Sequence, residues 1–560
     1  MLPSTPQPPV ALPDRLSDRL PVPQPAAHWP PFWGRLETLW LLMAPLCALL
    51  YTLCLPLAPN DLWYHVRAGE LISRGAIPTQ NLMSSAVPLN APYYYQSWLA
   101  ELALFATLKL GGLAGLTWLR AFCVAGALGL VASATFRALL RLPSPLSRLG
   151  AARLTALSAV LGLAMASNNV DLRPQTFSTL FFGAWIFAVL EFRTQSGTKR
   201  GFWGAFLVVL TLIWANTHGA FILSILGLLT LSCGDFWWRR AHFSSALGVA
   251  MGAGAAALVN PRGAALYAYV ASLSRNPIGQ QWVQEWKSPG FEEWHSLLFW
   301  GSAAAILASA LLAWRRKNQP SEANGLVLVL AIFGVMAARD QRSIIWFALL
   351  FVPVFAGLVA GFLREKSSAP APRGAQWINA FLLIFLLALP LAFSPHIKPN
   401  WPWPREFQRR FAPTPALFGS DPQLLLENTT PVAPAQWLLA HPPTKRLFTD
   451  MVCGSYLTYA GRGHIVPLCD PRIELFPDAF WKDYLQLSSG PANAAAILET
   501  RGFSDALLDR DTMPGLVRRL RAAANWRLVA QTGSTVLFRR SNAVSPLPNA
   551  KFRAKIRSGN

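Results

Sequence analysis

Residues 37–57 read ETLWLLMAPLCALLYTLCLPL, and this stretch decides the fold class. After Glu37 it carries no charged residue over about twenty positions, which is the length that an α-helix needs to cross the hydrocarbon core of a bilayer. Apolar runs of comparable length recur as far as residue 394. The sequence therefore predicts a polytopic α-helical membrane protein.

The composition excludes an ordinary soluble enzyme and a mainly disordered chain. Of the 560 residues, 53% are hydrophobic and 14% are charged, and the mean hydropathy is +0.33. Soluble proteins carry about 25% charged residues. The net charge of +22 does not predict a nucleic-acid partner, because the basic residues form short clusters between apolar segments, as Arg239 and Arg240 do. Such clusters indicate membrane topology.

We predict about eleven membrane-spanning helices, because each apolar run approaches the roughly 20 residues that a bilayer requires. Between the first two spans lies a polar and aromatic loop, 58–111. Its amphipathic stretch from Ser97 to Leu110 predicts a helix that lies at the membrane interface. The predicted spans are 37–57, 112–136, 150–168, 175–193, 203–216, 219–237, 243–260, 296–314, 323–338, 343–363 and 376–394.

Basic residues orient these helices. Placing the Pro-rich arm, 1–36, in the cytoplasm puts every basic loop on the cytoplasmic side, as the positive-inside rule requires, whereas a spanning helix at 97–110 would move those loops outside. We therefore predict a multi-pass membrane protein with a cytoplasmic N-terminus and a membrane domain over 37–394. The basic residues of these loops are Arg137, Arg141, Arg148, Arg153, Arg193, Lys199, Arg200, Arg239, Arg240, Arg315, Arg316, Lys317, Arg364, Lys366 and Arg373.

The C-terminal region, 395–545, predicts an extracytoplasmic α/β domain that is followed by a basic tail, 546–560. Strand-like runs alternate with helix-like ones in this region. Cys453 and Cys469 fit either a disulfide in an oxidising space or two buried thiols. The predicted strands lie at 446–449, 464–468 and 534–538, and the predicted helices at 494–500 and 514–523.

Polar clusters interrupt the apolar helices on the predicted outer side, although none of them was used to orient the chain. Each cluster alone could be an ordinary polar turn. Charged groups at membrane depth cost about 2.5–3.5 kcal/mol and usually face a functional cavity, so their joint placement favours a shared site. The clusters are Asp61, Trp63 and His65; Asn168, Asn169, Asp171, Arg173 and Gln175; Asn216, Thr217, His218 and Gly219; Asn260, Pro261 and Arg262; Glu285 and Trp286; and Arg339, Asp340 and Arg342.

These residue types suit transfer of a group from a lipid-linked phosphate. A carboxylate such as Asp61 can take a proton from an attacking hydroxyl, and Arg173, His218 and Arg342 can bind phosphate oxygens. No P-loop, GxSxG, HExxH or paired CxxC motif occurs, so nucleotide hydrolysis, serine hydrolysis and zinc catalysis lack support. The other predicted substrate-binding residues are His65, Gln175, Asn216, Glu285 and Arg339, of which Gln175 and Asn216 would orient the sugar.

The polar stretches resemble a known family. Residues 60–70 (NDLWYHVRAGE), 75–78 (GAIP) and 96–101 (QSWLAE) resemble bacterial membrane proteins of the GT-C glycosyltransferase superfamily. The resemblance covers roughly residues 37–394. Segments 454–457 (GSYL) and 470–475 (DPRIEL) resemble the outer C-terminal domain of the same group. Further matches are Arg173-Pro174-Gln175, Trp214-Ala215-Asn216-Thr217-His218-Gly219, Asn260-Pro261 and Glu285-Trp286.

The resemblance implies a GT-C-like fold, a donor class and a role for Asp61. In that superfamily an acidic residue of the first outer loop is the catalytic base or a metal-linked carboxylate. The donor is a polyprenyl-phosphate sugar, and the product is usually inverted. By position Asp61 is the catalytic candidate, and a divalent cofactor, Mg²⁺ or Mn²⁺, is compatible with the resemblance, although no metal ligand is assigned. Many members have a second acidic residue one or two positions on, where this chain has Leu62 and Trp63, and His65 or Glu70 could take its place.

We therefore expect an integral hexosyl- or pentosyltransferase of the bacterial inner membrane that acts on the extracytoplasmic face. It would move a sugar from the lipid-linked donor to a hydroxyl of an envelope glycan, lipid or protein. The missing second carboxylate keeps an alternative open, namely a non-catalytic scaffold or assembly protein of the cell envelope whose outer domain binds a ligand. A transporter is disfavoured, because ionisable residues other than Arg120 are scarce in the middle of the predicted spans.

Overall fold

The computed structural model describes residues 32–143, 146–315, 321–363, 375–419 and 421–541. Most of the Pro-rich arm predicted over 1–36 and the whole basic tail predicted over 546–560 lie outside these ranges. The same holds for the predicted loop residues Arg316, Lys317, Arg364, Lys366 and Arg373.

The first part of the chain is helical, and a helix is present at each of the eleven predicted spans. Seven of the described helices are long and apolar enough to cross a membrane, so the polytopic helical fold is confirmed, while the number of spans stays a prediction. The helices are α1 Leu36–Cys54, α2 Leu62–Ile72, α3 Trp98–Leu140, α4 Arg148–Ala166, α5 Pro174–Thr194, α6 Gly197–Ala215, α7 Ile222–Trp238, α8 Arg240–Ala256, α9 Ala265–Ser274, α10 Pro277–Trp282, α11 Trp294–Arg315, α12 Ser321–Arg339, α13 Ile344–Ala360 and α14 Ala375–Ala392.

Helix α3 breaks at Gly112, between the predicted interface helix and the predicted second span. Gly112 has φ 58° and ψ −157°, a conformation that favours glycine. A Cβ at this position would also collide with the carboxylate of Asp421, which accepts a hydrogen bond of 2.9 Å from the N–H of Leu113. The amphipathic stretch is therefore a separate helical segment, and its place relative to a membrane stays a prediction.

The core of the helical domain lies around α13, which is buried along most of its length. Helix α13 packs against α4 and α12, and α3 packs against α1 and α5. The α3–α5 contact is close because a Cβ on Gly183 would lie only 2.8 Å from the backbone of Ala127. Aromatic side chains fill the space between the helices, with Phe182 stacked on Trp185 and edge-on to Trp346.

The C-terminal part is an α/β domain, as predicted. Its four-stranded sheet has the order β3-β4-β6-β5, in which β3 and β4 are parallel and the other neighbours are antiparallel. A two-stranded antiparallel pair, β1 and β2, precedes it. The elements are α15 Arg405–Gln408, β1 Phe411–Ala412, β2 Leu426–Glu427, α16 Val432–Ala440, β3 Arg446–Thr449, α17 Met451–Ala460, α18 Asp478–Ser488, α19 Ala494–Thr500, β4 Phe503–Asp509, α20 Pro514–Ala522, β5 Trp526–Thr532 and β6 Thr535–Arg540.

The predicted strand at 464–468 is wrong. Arg462 and Gly463 both have positive φ angles, of 45° and 84°, so the chain turns sharply before this run. The extended residues that follow pair with the first loop instead of the sheet: Ser85 and Ala86 donate backbone hydrogen bonds of 2.9 Å to the carbonyls of Pro467 and Leu468. The other predicted strands and helices of this region are present as β3, β6, α19 and α20.

A buried ion pair holds residues 79–97, which we call the first-loop segment, against the C-terminal domain. The guanidinium of Arg472 binds Asp470 at 2.6 Å and the Asn81 Oδ1 at 2.9 Å, and both charged side chains are fully buried. Arg472 also lies 4.6 Å below the ring centre of Tyr93. These contacts place the C-terminal domain over one end of the helical domain, which we call the domain-covered end.

Two cations complete the C-terminal end of α1. The guanidinium of Arg120 donates to the carbonyls of Thr52, Leu55 and Pro56 at 2.6–2.7 Å. The ammonium of Lys398 donates to the Leu53 carbonyl at 3.1 Å. The last carbonyls of a helix have no partner within the helix, so these two side chains satisfy groups that would otherwise be buried without one. Arg120, the ionisable residue in the middle of a predicted span, therefore has a structural role.

Candidate functional site

Five chain segments bring polar side chains together at the domain-covered end. Asp61 immediately precedes α2, Arg173 immediately precedes α5, and His218 lies between α6 and α7. Glu285 belongs to a single 3₁₀ turn after α10, and Arg342 to another before α13. Each residue lies at a helix terminus or a tight turn, where the backbone leaves the regular helix and its side chain can face the shared space.

Arg173 is the centre of this group. Its Nη2 binds the Glu285 Oε2 at 2.8 Å, and its Nη1 lies 3.6 Å from the Asp61 Oδ2. The Arg173 side chain is only 9% exposed, whereas those of Asp61 and Glu285 are 29% and 35% exposed. Burial would lower the pKa of Arg173, but the two carboxylates outweigh burial and raise it above its ordinary value. The guanidinium therefore stays charged behind two accessible carboxylates.

Arg342 is a second cation beside this group. Its Nε donates to the Gln175 Oε1 at 2.8 Å, and its guanidinium lies 5.8 Å from the ring centre of Trp286. Burial favours the neutral form of Glu285, but Arg173 and Arg342 outweigh burial and lower the pKa of Glu285. The Nε2 of Gln175 is buried and has no hydrogen-bond partner among the described residues. It is a donor that a bound ligand could use.

His218 is held by a short hydrogen-bond chain. Trp214 Nε1 donates to the Ser178 Oγ at 2.7 Å, and this oxygen lies 2.9 Å from the His218 Nδ1. The N–H of Ala220 also points at Nδ1, so Nδ1 accepts and the ring carries its hydrogen on Nε2. Burial, followed by the charges of Arg342 and Arg173, lowers the pKa of His218 well below its ordinary value. His218 is therefore a neutral hydrogen-bond donor near neutral pH.

His65 lies one turn beyond Asp61 and faces another acidic residue. Its Nδ1 is 2.9 Å from the Glu101 Oε1, and both side chains are buried. The second oxygen of Glu101 is buried without a hydrogen-bond partner in the described part of the chain. His65 is close enough to His218 to contribute to the lowering of its pKa. The first loop therefore supplies two acidic residues, Asp61 and Glu101. His65, one helical turn after Asp61, links them through its contact with Glu101.

Two predicted binding residues lie outside this group. Asn216 uses both amide hydrogens on the carbonyls of Leu212 and Val259, at 3.0 and 2.8 Å, and its Oδ1 accepts from the Trp98 Nε1. These contacts tie α6 to neighbouring segments. Arg339 is exposed at the end of α12. A role of either residue in substrate binding stays a prediction.

Other polar residues adjoin the group without having been assigned a role from the sequence. Asp171 accepts a hydrogen bond of 3.0 Å from Asn60, and burial raises the pKa of its carboxyl. Glu474 of the C-terminal domain accepts the hydroxyls of Tyr93 and Tyr269, each at 3.0 Å. The available signal for Ser178 was a polar residue within an apolar segment, and for Asp171 its place in the polar cluster before α5. No local signal brings Glu474 to this end, because its approach depends on how the two domains pack.

Comparisons with known proteins bear on the fold. No protein-family model matches the chain, and no curated protein matches it. Among solved structures, ArnT from Cupriavidus metallidurans bound to undecaprenyl phosphate matches with a TM-score of 0.48 and 15% identity, over 92% of this chain and 99% of that protein. The oligosaccharyltransferase of Archaeoglobus fulgidus in the apo form matches with a TM-score of 0.47 and 14% identity, over 91% of this chain and 75% of that protein.

This chain is similar in fold to both. At 15% identity or less and TM-scores below 0.5, the similarity concerns the fold alone, so the activity has to be argued from the site.

At the domain-covered end an arginine, rather than a cluster of metal ligands, lies between the two carboxylates. The described residues contain no group of three or more His, Cys, Asp or Glu side chains that could hold a metal ion. Mg²⁺ is usually bound through one or two carboxylates together with waters and substrate phosphates. Here the cation between Asp61 and Glu285 is Arg173. The archaeal oligosaccharyltransferase was also solved in complex with Zn and sulfate, with a TM-score of 0.45 to this chain.

Proposed function

We propose that this chain is an integral membrane glycosyltransferase that moves a sugar from a polyprenyl-phosphate donor, such as one built on undecaprenyl phosphate, to a hydroxyl acceptor. The observation that carries the proposal is one arrangement. Two partly exposed carboxylates, Asp61 and Glu285, flank the buried guanidinium of Arg173, and Arg342 lies beside them. The arrangement provides an acceptor for a proton and two cations for a phosphate in one place.

Asp61 is the better general base of the two carboxylates. Glu285 accepts a direct hydrogen bond from Arg173, and its pKa is lowered, so it is a weak proton acceptor. Asp61 lies 3.6 Å from the same guanidinium, which is longer than a hydrogen bond. In the proposed step the acceptor oxygen bonds to the anomeric carbon, and its proton passes to Asp61. The bond between that carbon and the phosphate oxygen breaks, and the phosphate keeps the electron pair.

The remaining polar groups would bind the donor. Arg173 and Arg342 would neutralise the leaving phosphate, and the neutral His218 would donate through Nε2. The unpaired Nε2 of Gln175 would hydrogen-bond the sugar or the phosphate. His65 would hold the start of α2 through its contact with Glu101. A single displacement with one base inverts the anomeric centre.

The membrane placement follows the charge pattern. The predicted basic loops lie at the end of the helices opposite to the predicted polar clusters. We propose that the basic end faces the cytoplasm of a bacterial cell and that the domain-covered end faces the outside of the inner membrane. The acceptor would then be an envelope glycan, lipid or protein.

The test is Asp61→Asn in a transfer assay with the purified full chain, undecaprenyl-phosphate-linked sugars and envelope extract as the acceptor source. We expect the release of undecaprenyl phosphate to fall about 10²- to 10⁴-fold, the usual contribution of a general base. Glu70→Gln is the matched control, because Glu70 lies on the same helix and pairs with Arg67 and Arg74. Unchanged turnover of Asp61→Asn would remove Asp61 from the mechanism, whereas absence of transfer by the wild type itself would favour the scaffold alternative.

A further inference from the structure

The guanidinium of Arg173 lies between the carboxylates of Asp61 and Glu285 and supplies the positive charge that they need. Arg173 reaches Glu285 with one terminal nitrogen and approaches Asp61 with the other. The two carboxylates come from segments that are far apart in the sequence, before α2 and after α10, so Arg173 joins them across the site. Each guanidinium has five N–H donors, which leaves hydrogens of Arg173 free for a third oxygen ligand.

The charges around Arg173 argue against a divalent ion at the same place. Asp61 and Glu285 carry two negative charges, which Arg173 and Arg342 together balance, while burial raises the pKa of the neighbouring Asp171. A divalent ion added there would be repelled by both arginines and would have to displace Arg173 from Glu285. Among the described residues, no three or more His, Cys, Asp or Glu side chains are arranged as a metal site at this place. The site is therefore built around a fixed organic cation.

We infer that Arg173 does the work of a divalent cation in this chain, so that the leaving phosphate of the donor binds directly to Arg173 and Arg342 without a metal. The inference rests on the proposed function for the identity of the phosphate, but not for the state of the two carboxylates. While Arg173 is present, Asp61 and Glu285 have no measurable affinity for a divalent metal. The guanidinium prevents metal binding because it neutralises these two carboxylates.

The experiment titrates Mn²⁺ into the purified full chain in detergent and follows free Mn²⁺ by electron paramagnetic resonance. We expect no saturable site in the wild type at millimolar Mn²⁺. Arg173→Gln should gain a site with at least tenfold higher affinity, because it leaves two carboxylates without their cation. The double variant Asp61→Asn/Arg173→Gln should lose that site again. Arg275→Gln removes an exposed arginine of the same loop region and should behave as the wild type.

A second arm uses the wild type alone, in case the Arg173 variants do not fold. Binding of undecaprenyl phosphate is measured by native mass spectrometry in EDTA and in Mg²⁺. We expect affinities that agree within twofold. A saturable Mn²⁺ site in the wild type, or binding at least tenfold weaker in EDTA, would overturn the inference. Absence of binding in both buffers would count against the proposed donor class instead, and the Mn²⁺ titration would then decide the role of Arg173 by itself.

Discussion

Replacing Arg472 with methionine should loosen the first-loop segment from the C-terminal domain. Arg472 and Asp470 are both fully buried, and Arg472 also binds Asn81 of the segment. Methionine has a similar volume but leaves the Asp470 charge without its partner. Breaking a buried ion pair on one side costs about 3–5 kcal/mol. At about 1.4 kcal/mol for each tenfold change, the equilibrium constant for opening should rise roughly 10²- to 10⁴-fold.

Hydrogen exchange measures this opening directly. The amides of Ser85 and Ala86 are bonded to the carbonyls of Pro467 and Leu468, so they exchange when the segment leaves the domain. Exchange of the peptide that contains these two amides, followed by mass spectrometry, should accelerate by the factor given above in Arg472→Met.

A matched control uses an exposed ion pair of the same domain. Arg501 and Asp483 are 44% and 55% exposed, so Arg501→Met should change exchange of the segment less than about fivefold. The double variant Asp470→Asn/Arg472→Met should recover part of the protection, because no charge is left buried. A wild-type exchange rate in Arg472→Met would refute the reasoning. A double variant as damaged as the single one would show that charge burial is not the cause.

Three further predictions concern groups buried elsewhere. Because the pKa of His218 is lowered, His218 takes up a proton below pH 6.5 in the unfolded chain but not in the folded chain. The melting temperature should therefore fall more steeply from pH 7 to 5 in the wild type than in His218→Gln. Parallel curves of melting temperature against pH would contradict this prediction. Arg120→Leu should lower the melting temperature in detergent by more than about 5 °C, because each buried carbonyl left without a partner costs about 1–3 kcal/mol. An unchanged melting temperature would mean that water replaces the guanidinium. Burial raises the pKa of Cys453 and Cys469 well above the ordinary value, and both are free thiols, so maleimide should label them only after unfolding; a disulfide found by mass spectrometry would contradict the structure.

The sequence predicted which end of each helix carries the polar clusters, and it did so through charge. The basic loops oriented the chain, and Asp61, Arg173, His218 and Arg342 then fell on one side, where the structure brings them together. Helix bounds followed from apolar length. What a residue does at that end depends on its direction around the helix axis, which apolar length does not encode. Asn216 accordingly faces neighbouring backbone rather than the arginines.

Contacts between distant segments could not be predicted either, because apolar length does not encode which segments pack together. The run at 464–468 has the composition of a strand, but its partner is the first-loop segment, some 380 residues earlier. The pairing of His65 with Glu101 and the approach of Glu474 likewise need the packed structure. The absence of a second acidic residue beside Asp61 pointed towards a scaffold. The structure supplies Glu285 and Glu101 nearby from elsewhere in the chain.

The completion of α1 has a consequence for biogenesis. The Leu53 carbonyl receives its donor from Lys398, the backbone of Leu57 pairs with Leu425 and Glu427, and the restart of α3 at Leu113 is capped by Asp421. These partners leave the ribosome some 300 residues after the helices that they finish. Until then these backbone groups lack their partners from the C-terminal part of the chain, so the segment after α1 should be more open than in the complete protein. Ribosomes stalled before residue 398 should therefore yield nascent chains that proteases cut near residues 55–60.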